Sequence, residues 1–157
     1  RGRLALARPL GDALSAAVSV WLDPPARGGA ATNLQAALVP APSSPGAVRR
    51  RGQDPLLRIA RRSCVTLRRA GFDCTLVPAL RHRRRVSDQS GLGLVARQAN
   101  LRGSMTIRMG AEALLAGRRV IIVDDVVTTG ATIGELARVL RATGRVPTGA
   151  AVIAAAL

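Results

Sequence analysis

The chain has 157 residues, enough to enclose one α/β core and little else. Its formal net charge of +15 would ordinarily point to nucleic acid, but every basic residue is arginine, and that bias beside abundant Ala and Gly reads as coding composition as much as a phosphate surface. Trp21 and Phe72 are the only large aromatic side chains, too few for a platform that stacks single-stranded bases, and no apolar run is long enough to cross a membrane.

Taken in chain order, Leu10 to Leu22 carry an apolar helical pattern, and the Gly- and Ala-rich stretch Pro24 to Asn33 reads as a linker. Residues 1–35 are therefore expected to form an N-terminal helical segment and linker ahead of a domain over 36–157. No signal peptide pattern is visible, and a first residue that is Arg1 rather than Met leads to the expectation that upstream residues are missing. A short strand over 36–40 enters the turn Pro40-Ala41-Pro42, followed by the run Arg49-Arg50-Arg51-Gly52 in a basic helix expected over 48–70. A strand over 73–79 comes next. Cys64 and Cys74 stand ten positions apart without a CxxC partner, which fits small buried thiols in a reducing cytoplasm better than a zinc site. From Arg81 to Arg108 the chain is basic at first, with Arg81, Arg83, Arg84 and Arg85, then polar, then helical from Leu92 to Leu101.

Val120 to Val123 form an uninterrupted β-branched run, the pattern of a central parallel strand covered on both faces. That strand, expected over 118–124, runs into Asp124 and Asp125 and then into Val126, Val127, Thr128, Thr129, Gly130, Ala131 and Thr132. A helix over 131–142 follows, with Ile133, Leu136, Ala137 and Leu140 on one face, Glu135, Arg138 and Arg141 on the other, and Gly144 beyond its end. A last strand is expected over 149–156. A tight turn between strand and helix leaves backbone N–H groups at the positive end of a helix dipole, where a phosphate is stabilised without a basic side chain. Adjacent acids in a regular strand point to opposite faces, so both meet one ligand only if the strand bends at Asp125. The alternation of strands and helices argues for a three-layer α/β fold, a parallel sheet with helices on both faces.

The segment Val-Ile-Ile-Val-Asp-Asp-Val-Val-Thr-Thr-Gly-Ala-Thr over 120–132 resembles the phosphoribosyl pyrophosphate signature of the type I phosphoribosyltransferases. Two further segments are similar to the competence-associated ComF branch: Leu38-Val-Pro-Ala-Pro-Ser43 with Arg49-Arg-Arg-Gly52, and the spacing of Gln89, Leu92, Arg97 and Asn100. The resemblance implies a type I fold with its hood reduced or absent. It gives Asp124 and Asp125 the ribose hydroxyls and, directly or through water or substrate, Mg²⁺, and it gives residues 126–132 the 5′-phosphate. From its place at a second strand end, the turn at Pro40 and Ala41 with the nearby Arg51 is suited to meet the pyrophosphate, the alternative being a Pro-rich surface turn with solvated arginines. Residues 81–108 look like the family's lid, in which Arg84 and Arg85 would balance the leaving charge, the alternative being a solvated basic loop. Gln53, Asp54 and Pro55 depart from the family pattern after Gly52.

The implied function is transfer of a phosphoribosyl group to an unidentified nitrogen acceptor, with pyrophosphate released, in nucleotide salvage or DNA uptake. A non-catalytic ligand sensor, or a competence factor that binds single-stranded DNA or partner proteins, is the alternative. A homodimer is among the expected assemblies. No side chain is an obvious general base; the one histidine, His82, sits at the edge of the proposed lid.

Overall fold

A computed structural model of the chain describes residues 6–22, 35–83 and 101–156, the side chains of Ala47 and Arg51 excepted. The elements in order are α1 (Ala7–Ser19), β1 (Ala36–Pro40), α2 (Pro45–Arg51), α3 (Pro55–Arg69), β2 (Cys74–Leu76), β3 (Leu80–His82), β4 (Met105–Ile107), α4 (Ala111–Leu115), β5 (Arg119–Val127), α5 (Ala131–Ala142) and β6 (Gly149–Ala155). Four strands form a parallel sheet in the order β2-β1-β5-β6, and β3 pairs antiparallel with β4 in a separate two-stranded sheet.

Strand periodicity divides the core. Ala37, Val39, Val120 and Ile122 point to the face that carries α5 and the β3–β4 sheet, whereas Ala36, Leu38, Ile121 and Val123 point to the face that carries α1 and α3. All five residues of β1 are buried because it has a strand on either side and a helical layer on either face. This is the expected three-layer parallel fold. The helix of the N-terminal segment belongs to the same core: Leu14 and Val18 of α1 are fully buried against α3 and the sheet.

Gly11 permits the close crossing of α1 and α3. A Cβ there would lie 2.6 Å from Arg62 Cβ and 3.2 Å from Ile59 O. Beside it, the Asp12 carboxylate accepts from Thr66 Oγ1 at 2.8 Å and pairs with Arg62 at 3.4 Å. Beyond the end of α1, Trp21 lies over Gly149, the first residue of β6, and its indole donates to Ala150 O at 3.1 Å.

Several expected boundaries move, each for a local reason. The helix expected over 10–22 occupies 7–19, with Pro9 tolerated because first-turn amides have no intrahelical acceptor. The basic helix expected over 48–70 is two helices. Gly52 breaks it at φ 68°, and Asp54 then starts α3, its carboxylate accepting from Leu57 N at 3.1 Å with Pro55 at the first helical position. The strand expected over 73–79 splits as well: β2 pairs with β1, and after Pro78 the chain re-enters as β3 in the other sheet. β4 and the short α4 fill positions where the sequence pattern predicts no element, and β5 continues to Val127 rather than ending at 124.

Glu135 departs from its expected place on the polar face of α5. It is buried, accepting from Gly103 N at 2.9 Å and from Arg138 Nε and Nη2 at 2.7 and 2.9 Å. These bonds, the one to Arg138 foremost, hold its carboxyl below the usual glutamate range. Its contribution to stability is therefore complete above that range and lost as pH falls through the lowered value. Glu135→Gln is expected to cost about 1–2 kcal/mol at pH 7, a melting shift of roughly 2–8 °C that disappears on acidification. Thermal melts across a pH series test this.

Candidate functional site

Two cavities flank the carboxyl end of β5, one on each face of the sheet. The first, of about 200 Å³, is lined by Leu101, Asp124 and the whole run from Val126, Val127, Thr128 and Thr129 through Gly130, Ala131, Thr132 and Ile133. The second, of about 570 Å³ with mostly apolar walls, lies between the beginnings of α1 and α3 and includes Leu10, Pro55, Arg58, Ile59, Asp125 and Ile153.

The first cavity is built by the expected strand–turn–helix. β5 ends at Val127, residues 128–130 turn, and Gly130 caps α5 in the left-handed region at φ 73°, a conformation that glycine adopts without Cβ strain. Gly130 has no side chain to cap the helix, and among the described residues the Ala131 amide meets only the Thr129 hydroxyl, at 3.3 Å. Amides of the first turn of α5 thus face the cavity together with the hydroxyl-bearing Thr128, Thr129 and Thr132. Such an end accepts an anion, and no basic side chain among the described residues lines the cavity.

Asp124 is the acid in that cavity. It is 9% exposed, and its Oδ1 accepts from Asp125 N at 2.9 Å. Burial, reinforced by the neighbouring Asp125 charge, raises its carboxyl to about 6. Asp125 is exposed, accepts from Val126 N at 2.8 Å and lines the second cavity. The strand is thus not bent at Asp125, and the two carboxylates line different cavities. β5 remains paired with β6 on both sides of that residue, at Asp124–Val152 and Val126–Ala154, and ordinary pleating sends the two side chains apart.

The turn after β1 also differs from expectation. Pro40 and Ala41 are buried, Pro40 has no N–H, and the Ala41 amide donates to Val123 O at 2.9 Å. Pro42 likewise has no donor, so backbone donors of this turn begin at Ser43. The Ser43 hydroxyl donates to Asp54 Oδ1 at 3.0 Å, and His82 Nε2 lies 2.9 Å from Pro42 O. Sequence reasoning missed both partners of the turn. Asp54 had a legible signal, an acid directly before a proline at a helix start, whereas His82 had none because the contact spans 40 positions. The side chain of Arg51, all of Arg84 and Arg85, the proposed linker and the positions Gln89, Leu92, Arg97 and Asn100 lie outside the described residues.

Mg²⁺ commonly keeps several waters and takes one or two carboxylates plus substrate phosphate oxygens. The described residues hold no group of three or more His, Cys, Asp or Glu able to cage a metal ion, and one carboxylate, Asp124, faces the cavity before α5. That donor set fits a cation carried largely by substrate and water. Cys64 and Cys74 are free and buried, Cys74 donating to Cys64 O at 3.6 Å; its thiol and burial push the Cys64 thiol up. Among the described residues no helix is long and apolar enough to cross a membrane.

The adenine phosphoribosyltransferases of Mycobacterium avium and Mycobacterium marinum are 48% and 46% identical to the chain over 52 residues. Those matches cover 32% of this chain, and 29% and 28% of the two relatives, so the similarity spans less than a third of their length. A solved structure of the allosteric regulatory enzyme of purine biosynthesis aligns at 17% identity with a TM-score of 0.47, over 94% of this chain and 25% of that one. The family model of the phosphoribosyl transferase domain matches residues 68–156, more than half of the chain, including β5, its turn and α5. The chain therefore belongs to the phosphoribosyl transferase domain family.

Proposed function

We propose that the protein binds phosphoribosyl pyrophosphate with Mg²⁺ and transfers its phosphoribosyl group to a nitrogen acceptor. The observation that carries this reading is the single cavity in which the buried Asp124 carboxyl, three threonines and the uncapped start of α5 converge. In the proposed arrangement the α5 amides and threonine hydroxyls hold the 5′-phosphate, and Asp124 accepts from ribose hydroxyls. Bound Mg²⁺ supplies charge neutralisation at the departing pyrophosphate. The C1–O bond to pyrophosphate breaks with the electron pair leaving on oxygen, a C1–N bond forms, and the acceptor's proton passes to solvent. The protein's part is to position the reactants and to set fixed negative charge beside a cationic sugar ring.

Adenine is the first acceptor to test, given the relatives' activity. A ComF-like role in DNA uptake is the second reading, supported by the Leu38–Ser43 and Arg49–Gly52 segments and by the exposed Arg61, Arg68 and Arg69 of α3. The two free thiols fit a reducing, cytoplasmic setting.

Calorimetric titration with phosphoribosyl pyrophosphate and Mg²⁺, followed by a pyrophosphate-release assay with purine bases, separates these readings. Saturable binding with base-dependent release is expected for the transferase. Binding without release of pyrophosphate makes the protein a sensor. Salt-sensitive binding of an oligonucleotide by a protein that ignores the sugar phosphate overturns the proposal.

A further inference from the structure

The turn after β1 is held from three sides, and one hold has no explanation in the packing. Ala41 N is bonded to Val123 O within the sheet, and Ser43 Oγ to Asp54, the cap of α3. The third hold is His82, which comes from the other sheet. A carbonyl only accepts, so His82 Nε2 must carry the hydrogen of its bond to Pro42 O. In the neutral ring Nδ1 is then an acceptor, and it is buried with no hydrogen-bond partner among the described residues. A buried polar atom left unmatched costs free energy that an apolar side chain in the same space would not. What the imidazole provides that a phenyl ring would not is the hold on Pro42.

That hold has a directional consequence. Pro42 O and Ser43 N–H belong to one planar peptide unit, which is trans, since no cis bond occurs among the described residues. Fixing the carbonyl toward His82 therefore turns the Ser43 N–H the opposite way, away from the β3–β4 sheet. Ser43 is the first residue after β1 whose amide is not supplied to the sheet or removed by proline. We propose that His82 is a positioning residue that, by holding Pro42 O, aims the Ser43 amide at the pyrophosphate group of the substrate. This inference rests on the phosphoribosyl pyrophosphate reading above and assigns the turn's donor within it.

The test uses two probes with Mg²⁺ present: inorganic pyrophosphate, which would engage this turn, and ribose 5-phosphate, which would engage the turn before α5. His82→Phe keeps the ring volume and removes the donor. It is expected to weaken pyrophosphate binding about tenfold, the worth of one hydrogen bond to a charged group, and to leave ribose 5-phosphate unchanged. His82→Gln, whose amide nitrogen reaches toward the Nε2 position, is expected to restore most of the loss. His82→Asn, whose amide nitrogen lies near Nδ1 instead, is expected to behave like Phe while keeping a polar side chain in case Phe does not fold. Wild-type pyrophosphate affinity in folded Phe or Asn variants overturns the proposal, as does an equal loss of both probes, the mark of a merely structural role. Wild-type protein that binds neither probe overturns the transferase reading itself, an outcome separate from a failure at His82.

Discussion

Asp124→Asn is expected to raise the melting temperature at neutral pH while removing measurable affinity for phosphoribosyl pyrophosphate. The wild-type carboxyl is buried and raised to about 6, so at pH 7 it is ionised against the cost of its own burial. The sign follows from comparing the two states. The unfolded chain releases the proton near the ordinary aspartate value and the folded chain only near 6, so folding loses stability as pH rises through that window. Asparagine fills the same space and can still accept from Asp125 N, but it is neutral throughout. A gain of about 2 kcal/mol at pH 7, roughly 4–8 °C in melting temperature, is expected, and it vanishes below about pH 4 where both side chains are uncharged. Ligand affinity should move the opposite way. Ribose hydroxyls and Mg²⁺ prefer the carboxylate, so wild-type binding is expected to strengthen as pH rises through about 6. Asp125→Asn should lose much less affinity, because that side chain lines the other cavity. Equal losses for both variants, or an unchanged melting temperature for Asp124→Asn, would contradict the division of the acidic pair.

Gly11→Leu is expected to be the most destabilising single change in the helical layer, at about 3 kcal/mol or more. Any Cβ at this position meets the inner carbons of Arg62, which cannot swing aside as a guanidinium tip can, and then the Ile59 carbonyl. To relieve the clash α1 must lift from α3, uncovering Leu14 and Val18, both fully buried in the wild type. Gly46→Ala is the control, since its new Cβ would meet only Arg50 Nη1 at 3.5 Å. Urea unfolding of the two variants decides: similar midpoints would mean that α1 is not docked through Gly11.

The contrast between those two glycines also marks what a sequence can reveal. The turn before α5 was legible because its determinants are local: a β-branched run, two acids, small hydroxyl residues and a helical period, all within about two dozen positions. Helix 131–142 and strand 36–40 accordingly match the residues observed. Boundaries failed where a cap or a proline competed with a periodic pattern, as at Asp54-Pro55 and Pro78. Glu135 and His82 were misplaced or left unassigned for another reason. Each bonds to backbone brought near by the fold, at Gly103 and Pro42, and no periodicity encodes such a partner. The separation of Asp124 from Asp125 lay between these cases. Strand alternation predicts it outright, and only the expectation of a shared ligand argued for a bend.

The placement of Trp21 makes the protein optically selective. It is the one tryptophan, and the chain has no tyrosine, so the ultraviolet emission of the protein comes essentially from a single indole. That indole rests on Gly149 and Ala150 at the entry of β6, while the cavity before α5 lies past the exit of β5, and parallel pairing puts the two at opposite ends of the sheet. Emission should therefore track the docking of the segment that follows α1 and stay silent when a sugar phosphate binds. A fluorescence melt run with and without ligand then reads stabilisation through linkage, free of quenching at the binding site.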